Sequence, residues 1–209
     1  DGQNDLLLLA PFEKIKVLVN REDDDFEEVD VAPPGGTLDK PTFSTADVDG
    51  DGKGELVLAQ RNFLRAVKLG KQNNKWRLRV KDQINGAGTD SRLRTAVALP
   101  SGNGQTALLS LDTARKELTV CERDRTGVWQ PTQHLPLPTV DFADAQPIAL
   151  GAKATNALAF TGLNQAAWLA FTGSTWKLEE RASYESPLKD AELRDVVCGD
   201  LTGNGRKDL

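Results

Sequence analysis

The residues of this sequence most suited to chemistry lie in one short segment, DVDGDGKGE, at positions 47–55. Its carboxylates occupy the first, third, fifth and ninth positions: Asp47, Asp49, Asp51 and Glu55. The backbone carbonyl of Lys53 can supply the seventh position. Calcium takes about six to eight oxygen ligands of these kinds, and the interposed glycines let the backbone turn sharply. Since four carboxylates within nine residues repel one another without a cation, the segment predicts a calcium site rather than a solvated acidic turn.

A helix-flanked EF-hand loop is excluded, although it also opens with D-x-D-x-D-G. That loop needs a bidentate glutamate at its twelfth position, which here is Leu58, inside the apolar run ELVLAQ. Helical periodicity of any length is absent from the sequence. The segment is therefore expected to join two β-strands.

The acidic segment is the best preserved of five related copies. Each copy leads into an apolar strand, and aligned leucines recur at spacings of 50, 52, 50 and 51: Leu6, Leu56, Leu108, Leu158 and Leu209. An aromatic residue after a polar turn is a second marker of the repeat, and it recurs at spacings of 50, 53 and 47: Phe26, Trp76, Trp129 and Trp176. Two markers on one period indicate a repeat architecture.

Each period contains four strand-like pieces, which in the second period lie at 42–48, 55–60, 63–70 and 75–84. Four strands per repeat of roughly 40–50 residues are typical of a β-propeller blade. The sequence thus predicts an all-β propeller of four-stranded antiparallel blades, with about four blades in this chain. The approximate repeats are 1–41, 42–91, 92–141 and 142–193, with 194–209 opening a next blade or closing the ring.

The recurring tryptophans are interpreted as packing residues that fill the gap between neighbouring blades. Trp168 lies off this spacing, and its role is left open. The two cysteines, Cys121 and Cys198, are expected to be small strand residues rather than a disulfide pair, and His134 is expected to be a surface residue.

The period and the D-x-D-G-D-G-x-x-D/E motif resemble the FG-GAP/VCBS repeat family. This resemblance implies a β-propeller whose loops bind calcium between the first and second strands of a blade, in an extracellular, periplasmic or cell-surface protein. By alignment with the motif, a conditional site lies near the end of the chain: Asp200, Thr202, Asn204, the Arg206 carbonyl and Asp208. A partial site lies at its start: Asp1, the Gln3 carbonyl and Asp5. The third copy has Leu99 and Ala107 where carboxylates belong, and the fourth has essentially no ligands, so both are expected to be empty.

Two architectures accommodate the end of the chain. In one, a strand at 193–199 pairs with strands at 5–31 and closes a four-bladed ring. In the other, which is favoured, the chain is a stretch of a larger propeller, because a four-repeat ring does not need the DG-x-x-DL segment at both ends. The targeting signal is expected to lie outside the sequence.

The charge of the chain and the motifs it lacks limit the classes of function that it can have. The net charge of −5, with scattered lysines and arginines, argues against nucleic acid as a partner. No apolar run approaches the roughly 20 residues of a membrane span, and no nucleophile elbow, P-loop, dinucleotide fingerprint or zinc-ligand cluster occurs. We therefore expect a non-enzymatic, calcium-binding interaction or scaffold module for a protein or glycan.

The alternative is part of a polysaccharide lyase or hydrolase in which calcium helps to position an acidic sugar. Such an enzyme needs a base beside the metal, and Lys53 and Arg61 are the nearest candidates in the sequence. The family resemblance places the loop away from the central channel, which disfavours this alternative.

Overall fold

A computed structural model describes residues 4–8, 10, 13–21, 25–31, 43–100, 105–137, 142–150, 155–171, 178–193, 196–206 and 208. Over these ranges the regular secondary structure consists of fifteen β-strands, without a helix. Every pair of neighbouring strands is antiparallel. None of the described residues forms a helix that could cross a lipid bilayer.

The strands form four sheets, and each sheet is one blade of a four-bladed β-propeller. Within a blade, each strand pairs with the next strand along the chain. Blade 1 contains β1 (Leu6–Leu8), β2 (Lys16–Asn20) and β3 (Phe26–Val29). Blade 2 contains β4 (Phe43–Ala46), β5 (Glu55–Gln60), β6 (Phe63–Gln72) and β7 (Lys75–Asn85). Blade 3 contains β8 (Leu93–Pro100), β9 (Thr106–Asp112), β10 (Glu117–Arg123) and β11 (Trp129–Pro136). Blade 4 contains β12 (Phe142–Leu150), β13 (Thr155–Gly162), β14 (Gln165–Phe171) and β15 (Leu178–Glu185). The predicted all-β propeller of antiparallel blades is confirmed.

Blade 2 shows why the local sequence forms these hairpins. Strand β5 has the predicted bounds, and most of its side chains are buried because neighbouring sheets cover both of its faces. The turn between β6 and β7 places Asn73 (φ 50°) and Asn74 (φ 62°) in the left-handed region. Asparagine tolerates that conformation, and two such residues make the type of turn whose twist suits a two-residue hairpin. Leu58 is fully buried within β5, as the exclusion of an EF-hand required.

The hydrophobic core is a series of layers between consecutive blades. One cluster joins blades 1 and 2, a second joins blades 2 and 3, and a third joins blades 3 and 4. Trp76 packs in the first of these and Trp129 in the second, which confirms their predicted role between blades. Trp176 lies outside the described residues. Trp168 packs against a cluster of Ile148 and Ala159 in its own blade, and Cys198 of the carboxyl-terminal segment packs against the same cluster.

A β-bulge recurs between the third and fourth strands of blades 2, 3 and 4. In blade 2 the pairing shifts after Ala66, which leaves Lys81 as the extra residue of β7. Thr132 and Arg181 are the extra residues at the corresponding shifts in blades 3 and 4. A bulge interrupts the alternation of side chains across a strand. Consequently Leu78 and Ile84 of β7, six residues apart, lie on opposite faces of blade 2: Leu78 packs in the cluster with blade 1 and Ile84 in the cluster with blade 3.

The predicted strand at 193–199 is not a strand within the described residues. Only an isolated bridge forms there, between Gly199 and Asp208. Val196 and Cys198 pack against blade 4, and the Val196 carbonyl accepts a hydrogen bond from the Gln146 side chain at 2.6 Å. Where the structure describes it, this segment therefore contacts blade 4 through side chains and forms no strand ladder.

Both cysteines are free. Cys121 is buried in β10, as predicted, and its burial raises the pKa of the thiol to about 11. Cys198 is only half-buried and lies outside the strands, contrary to the prediction of a strand residue. His134 is partly exposed on β11, where its Nδ1 lies 3.0 Å from Glu117 Oε1.

Candidate metal centre

The acidic segment is the loop that joins β4 to β5 in blade 2. One carboxylate oxygen from each of Asp47, Asp49 and Glu55 lies within 4.8 Å of the others. These three residues form the one group of this kind among the described residues. Glu55 is the notable member, because it is only 1% exposed and a buried carboxylate requires compensating partners.

The backbone of the loop wraps around Asp47. Its Oδ1 accepts a hydrogen bond from the Gly50 amide at 2.8 Å, and its Oδ2 accepts one from the Gly52 amide at 2.9 Å. Both glycines have φ of 79°, a left-handed conformation that costs other residues energy. The sequence D-x-D-G-D-G is thus required for the turn as well as for its carboxylates.

Glu55 closes the other end of the loop. It is paired with Ala46 in the β4–β5 ladder, and its side chain turns back so that Oε2 accepts a hydrogen bond from the Val48 amide at 2.9 Å. The first residue of β5 therefore holds the start of the loop against the end of β4. This contact preorganises the loop around the position between the three carboxylates.

Two lysines from the following strands contact the remaining carboxylate oxygens. Lys68 Nζ, on β6, lies 2.7 Å from Asp51 Oδ2 and 3.2 Å from Glu55 Oε1. Lys81 Nζ, on β7, lies 2.7 Å from Asp49 Oδ2. The hydrogen bond from Lys81 lowers the pKa of Asp49, and that from Lys68 lowers the pKa of Asp51. Asp51 in turn raises the pKa of Lys68.

Arg123 ties the loop to the next blade. From β10 of blade 3 it donates hydrogen bonds to the Val48 carbonyl inside the loop and to Asp82 Oδ2 at 3.3 Å. Its guanidinium carbon also lies 4.8 Å from the centroid of the Trp129 ring. The loop is therefore braced both within its blade and across the interface between blades.

The conditional site near the end of the chain has the same backbone arrangement. Asp200 Oδ2 accepts from the Gly205 amide at 2.7 Å, as Asp47 does from Gly52. Asp208 Oδ2 accepts from the Leu201 amide at 3.0 Å, as Glu55 does from Val48. In addition, Asn204 Oδ1 accepts from the Arg206 amide at 2.8 Å, and Gly203 and Gly205 have φ of 72° and 77°. This loop matches the first in geometry but has only two carboxylates, and Thr202 is exposed.

The remaining copies are less complete. Asp1 and Gln3 of the partial site lie outside the described residues, and Asp5 Oδ1 accepts a hydrogen bond from the Asn20 amide at 3.0 Å. In the third copy, Leu99 and Ala107 are both buried apolar residues of β8 and β9. Their side chains offer no ligand atom where the second copy has Asp47 and Glu55.

The residues of the complete loop fit a hard divalent cation. All candidate donors are oxygens, from carboxylates and from the Lys53 carbonyl, and such donors favour calcium or magnesium over metals that prefer nitrogen or sulfur ligands. The three clustered carboxylates are close enough to share one ion. Lys53 is exposed, and its amide donates to Asp51 Oδ1 at 2.9 Å.

Arg61 does not belong to this site. It lies in the turn after β5, whereas the loop precedes β5. The six residues of that strand separate the two by roughly 20 Å. The sequence proximity of Arg61 to the loop therefore does not place it beside a metal.

Comparison with known proteins supports the family resemblance. Residues 1–58 match a family model described as an FG-GAP-like repeat, and this match includes the acidic loop. The chain therefore carries an FG-GAP-like repeat, as its motif predicted. None of the curated proteins compared with the chain matches it.

Fourteen chains of solved structures match the fold. One is a protein from Bacteroides uniformis provisionally named a 6-phosphogluconolactonase, with 15% sequence identity and a TM-score of 0.50. The match covers 82% of this chain and 51% of that one, so the chain spans about half the length of that structure. At this identity the likeness concerns the fold alone.

Sequence analysis missed Lys68, Lys81 and Arg123. Lysines and arginines are scattered along the sequence, and no local motif connects these three with the loop. One signal was present: when the blades are aligned by their strand pairing, the position of Lys68 is Glu122 in blade 3 and Ala170 in blade 4. The lysine thus occurs in the blade that carries the carboxylates.

Proposed function

We propose that this chain is a non-enzymatic, calcium-binding β-propeller that acts as an extracellular interaction or scaffold module. The observation that carries the proposal is the loop of blade 2, in which three clustered carboxylates, one of them buried, face a position between two strands. Calcium there would neutralise the excess negative charge and brace the start of β5. The family match and the repeat architecture agree with this role.

The setting follows from the chemistry of the ion. Loops of this kind bind calcium weakly enough to need concentrations near a millimolar, which are found outside cells. We therefore place the protein in an extracellular, periplasmic or cell-surface setting. Its partner would be a protein or a glycan, bound through loops on one face of the propeller. It stays a prediction that the four blades belong to a larger propeller.

The proposal predicts that calcium raises the thermal midpoint of unfolding. With a Kd of about 0.1–1 mM, millimolar calcium stabilises the protein by roughly 0.4–1.4 kcal/mol, or roughly 1–5 °C for a chain of this size. Melting is measured by circular dichroism in excess chelator and in millimolar calcium. Glu55→Gln should remove most of the shift, because it takes away the charge of the buried ligand.

Glu28→Gln is the matched control, since Glu28 is an exposed glutamate on β3 of another blade. It should retain the full calcium-dependent shift. Equal midpoints for the unsubstituted protein in chelator and in calcium would refute the calcium proposal.

The lyase alternative is tested separately. The protein is incubated with acidic polysaccharides in calcium, and unsaturated products are followed by their ultraviolet absorbance. We expect no products, because Arg61 lies at the far end of β5 and the lysines from neighbouring strands, Lys68 and Lys81, are ion-paired with the loop carboxylates. Asp51 raises the pKa of Lys68, which disfavours its use as a base. Accumulation of such products would replace the interaction role with an enzymatic one.

A further inference from the structure

The two lysines at the acidic loop hold the oxygens that an ion would need. Lys68 Nζ contacts Asp51 and Glu55, which are the fifth and ninth positions of the motif, and Lys81 Nζ contacts Asp49 at the third. These contacts of 2.7–3.2 Å are direct hydrogen bonds between charged groups, which are the stronger kind. The side chain of Lys68 is 29% exposed and that of Glu55 is 0% exposed, so this pair is partly shielded from water.

The fold directs both lysines to the loop. Lys68 lies on β6 one residue beyond Val67, which pairs with Leu56 next to Glu55. Lys81 is the extra residue of the β-bulge in β7. A bulge re-aims a side chain relative to a regular strand, and here the re-aimed ammonium reaches Asp49.

The other blades supply an internal comparison. Blades 3 and 4 keep the bulge, but the position equivalent to Lys68 is Glu122 in one and Ala170 in the other. The position of Lys81 is Thr132 in blade 3 and Arg181 in blade 4. Neither of these blades has the full set of loop carboxylates. Among these three blades, a lysine at the Lys68 position therefore accompanies only the complete acidic loop, whereas a cation at the Lys81 position also occurs in blade 4.

We propose that Lys68 and Lys81 are built-in counter-cations that keep the loop of blade 2 folded without calcium and compete with calcium for its carboxylates. This inference rests on the calcium binding proposed above. The ammonium groups contact oxygens of Asp49, Asp51 and Glu55, so an entering ion must displace them or share those oxygens. The lysines thereby weaken calcium binding and reduce the stability lost when calcium is removed.

The test uses the whole chain and measures calcium affinity and stability separately. Calcium binding is titrated by calorimetry after chelator treatment, and the thermal midpoint is recorded in excess chelator. Lys68→Gln should raise calcium affinity about 1.5- to fivefold, the range that a partly exposed ion pair is worth. The same variant should melt at a lower temperature than the unsubstituted protein when calcium is absent. Lys81→Gln should change both quantities in the same directions, and it serves as the second variant if Lys68→Gln does not fold in chelator.

Lys71→Gln is the matched control because it removes the same charge from the same strand. Lys71 lies over the ring of Trp76, 4.8 Å from its centroid, and its ammonium does not contact the loop. Its calcium affinity should equal that of the unsubstituted protein.

The sign of the change decides between competition and simple support of the loop. If the lysines only supported the loop, their removal would weaken calcium binding. Unchanged or weaker calcium binding by both Lys68→Gln and Lys81→Gln therefore overturns this inference. The proposal that the loop binds calcium would still stand. If neither the unsubstituted protein nor any variant takes up calcium at up to roughly 10 mM, beyond the extracellular range, both proposals fail.

Discussion

At the level of single residues, Glu55 shows how one position serves both the fold and the site. Its backbone begins β5, while its side chain bonds the Val48 amide and the Lys68 ammonium. A carboxylate that is 1% exposed would be destabilising without such partners. The motif position was predicted from the sequence, but the burial of Glu55 was not, because burial depends on the sheets that pack around the strand.

A second carboxylate, Asp124, makes a prediction about pH. In the turn between β10 and β11 it accepts hydrogen bonds from the Thr126 hydroxyl at 2.6 Å and from the Val128 amide at 3.0 Å. The Thr126 hydrogen bond is the main cause that lowers the pKa of Asp124. A lowered folded-state pKa contributes stability above the unfolded value of about 3.9, and this contribution is lost as the pH falls below it.

We therefore expect Asp124→Asn to lower the thermal midpoint at pH 7. The difference from the unsubstituted protein should shrink at about pH 3, where the carboxylate is protonated in the unfolded state. Asp30→Asn, at an exposed position in blade 1, should have no comparable effect. A difference between Asp124→Asn and the unsubstituted protein that is the same at both pH values would contradict the assigned role of the charge.

At the level of elements, Arg123 connects a strand of blade 3 with the loop of blade 2. It donates to the carbonyls of Val48 and Gly127 and packs over Trp129. Replacing it with methionine keeps an apolar stem but leaves the carbonyls without this donor. Loss of a partner by partly buried groups costs roughly 1–3 kcal/mol.

We expect Arg123→Met to reduce the free energy of unfolding by about that amount, measured by urea denaturation. Arg125→Met, two residues on at an exposed turn position, is the control and should be nearly neutral. Equal stabilities of the two variants would show that the contact across the blades contributes nothing measurable.

The repeat elements also show what periodicity can predict. The spacing of the tryptophans predicted that they pack between blades, and Trp76 and Trp129 do so. Regular alternation along β7 would place Leu78 and Ile84 on one face, but they face different blades because the bulge at Lys81 between them changes the face that follows. A bulge depends on the pairing of two strands, and a pattern within one strand does not contain that information.

For the molecule as a whole, the core is divided among the interfaces between blades. Residues of β9 such as Leu108 and Leu109 are fully buried, whereas Leu6 and Leu8 of β1 are 47% and 52% exposed. Strand β9 has partners on both sides, and β1 pairs only with β2 among the described residues. The protection of backbone amides from hydrogen exchange should therefore differ strongly between β9 and β1.

Native-state hydrogen exchange should reveal this gradient. We expect the amides of β9 and β10 to exchange most slowly and those of β1 to exchange much faster, because Leu6 and Leu8 are about half exposed and local opening of β1 disrupts few buried contacts. The measurement is mass spectrometry of peptic fragments, with β5, which is paired on both sides in blade 2, as the internal reference. Protection of β1 equal to that of β5 would contradict the expectation.

The sequence by itself determined the class of fold and the position of the principal loop. The roughly 50-residue period, the turn residues and the D-x-D-G-D-G motif are local or repeating features, so they can be recognised without coordinates. Leu58 was sufficient to exclude the helical alternative because the motif fixes the distance along the chain.

Only the tertiary structure decided what surrounds the loop. Lys68 is 13 residues from Glu55 and 17 from Asp51, and Arg123 is 75 residues from Val48. Such contacts arise from strand pairing, from a bulge and from the packing of one blade on the next, none of which leaves a local mark in the sequence. The pattern of acids therefore predicted where a cation could bind, and the fold revealed which of the chain's own cations already contact those acids.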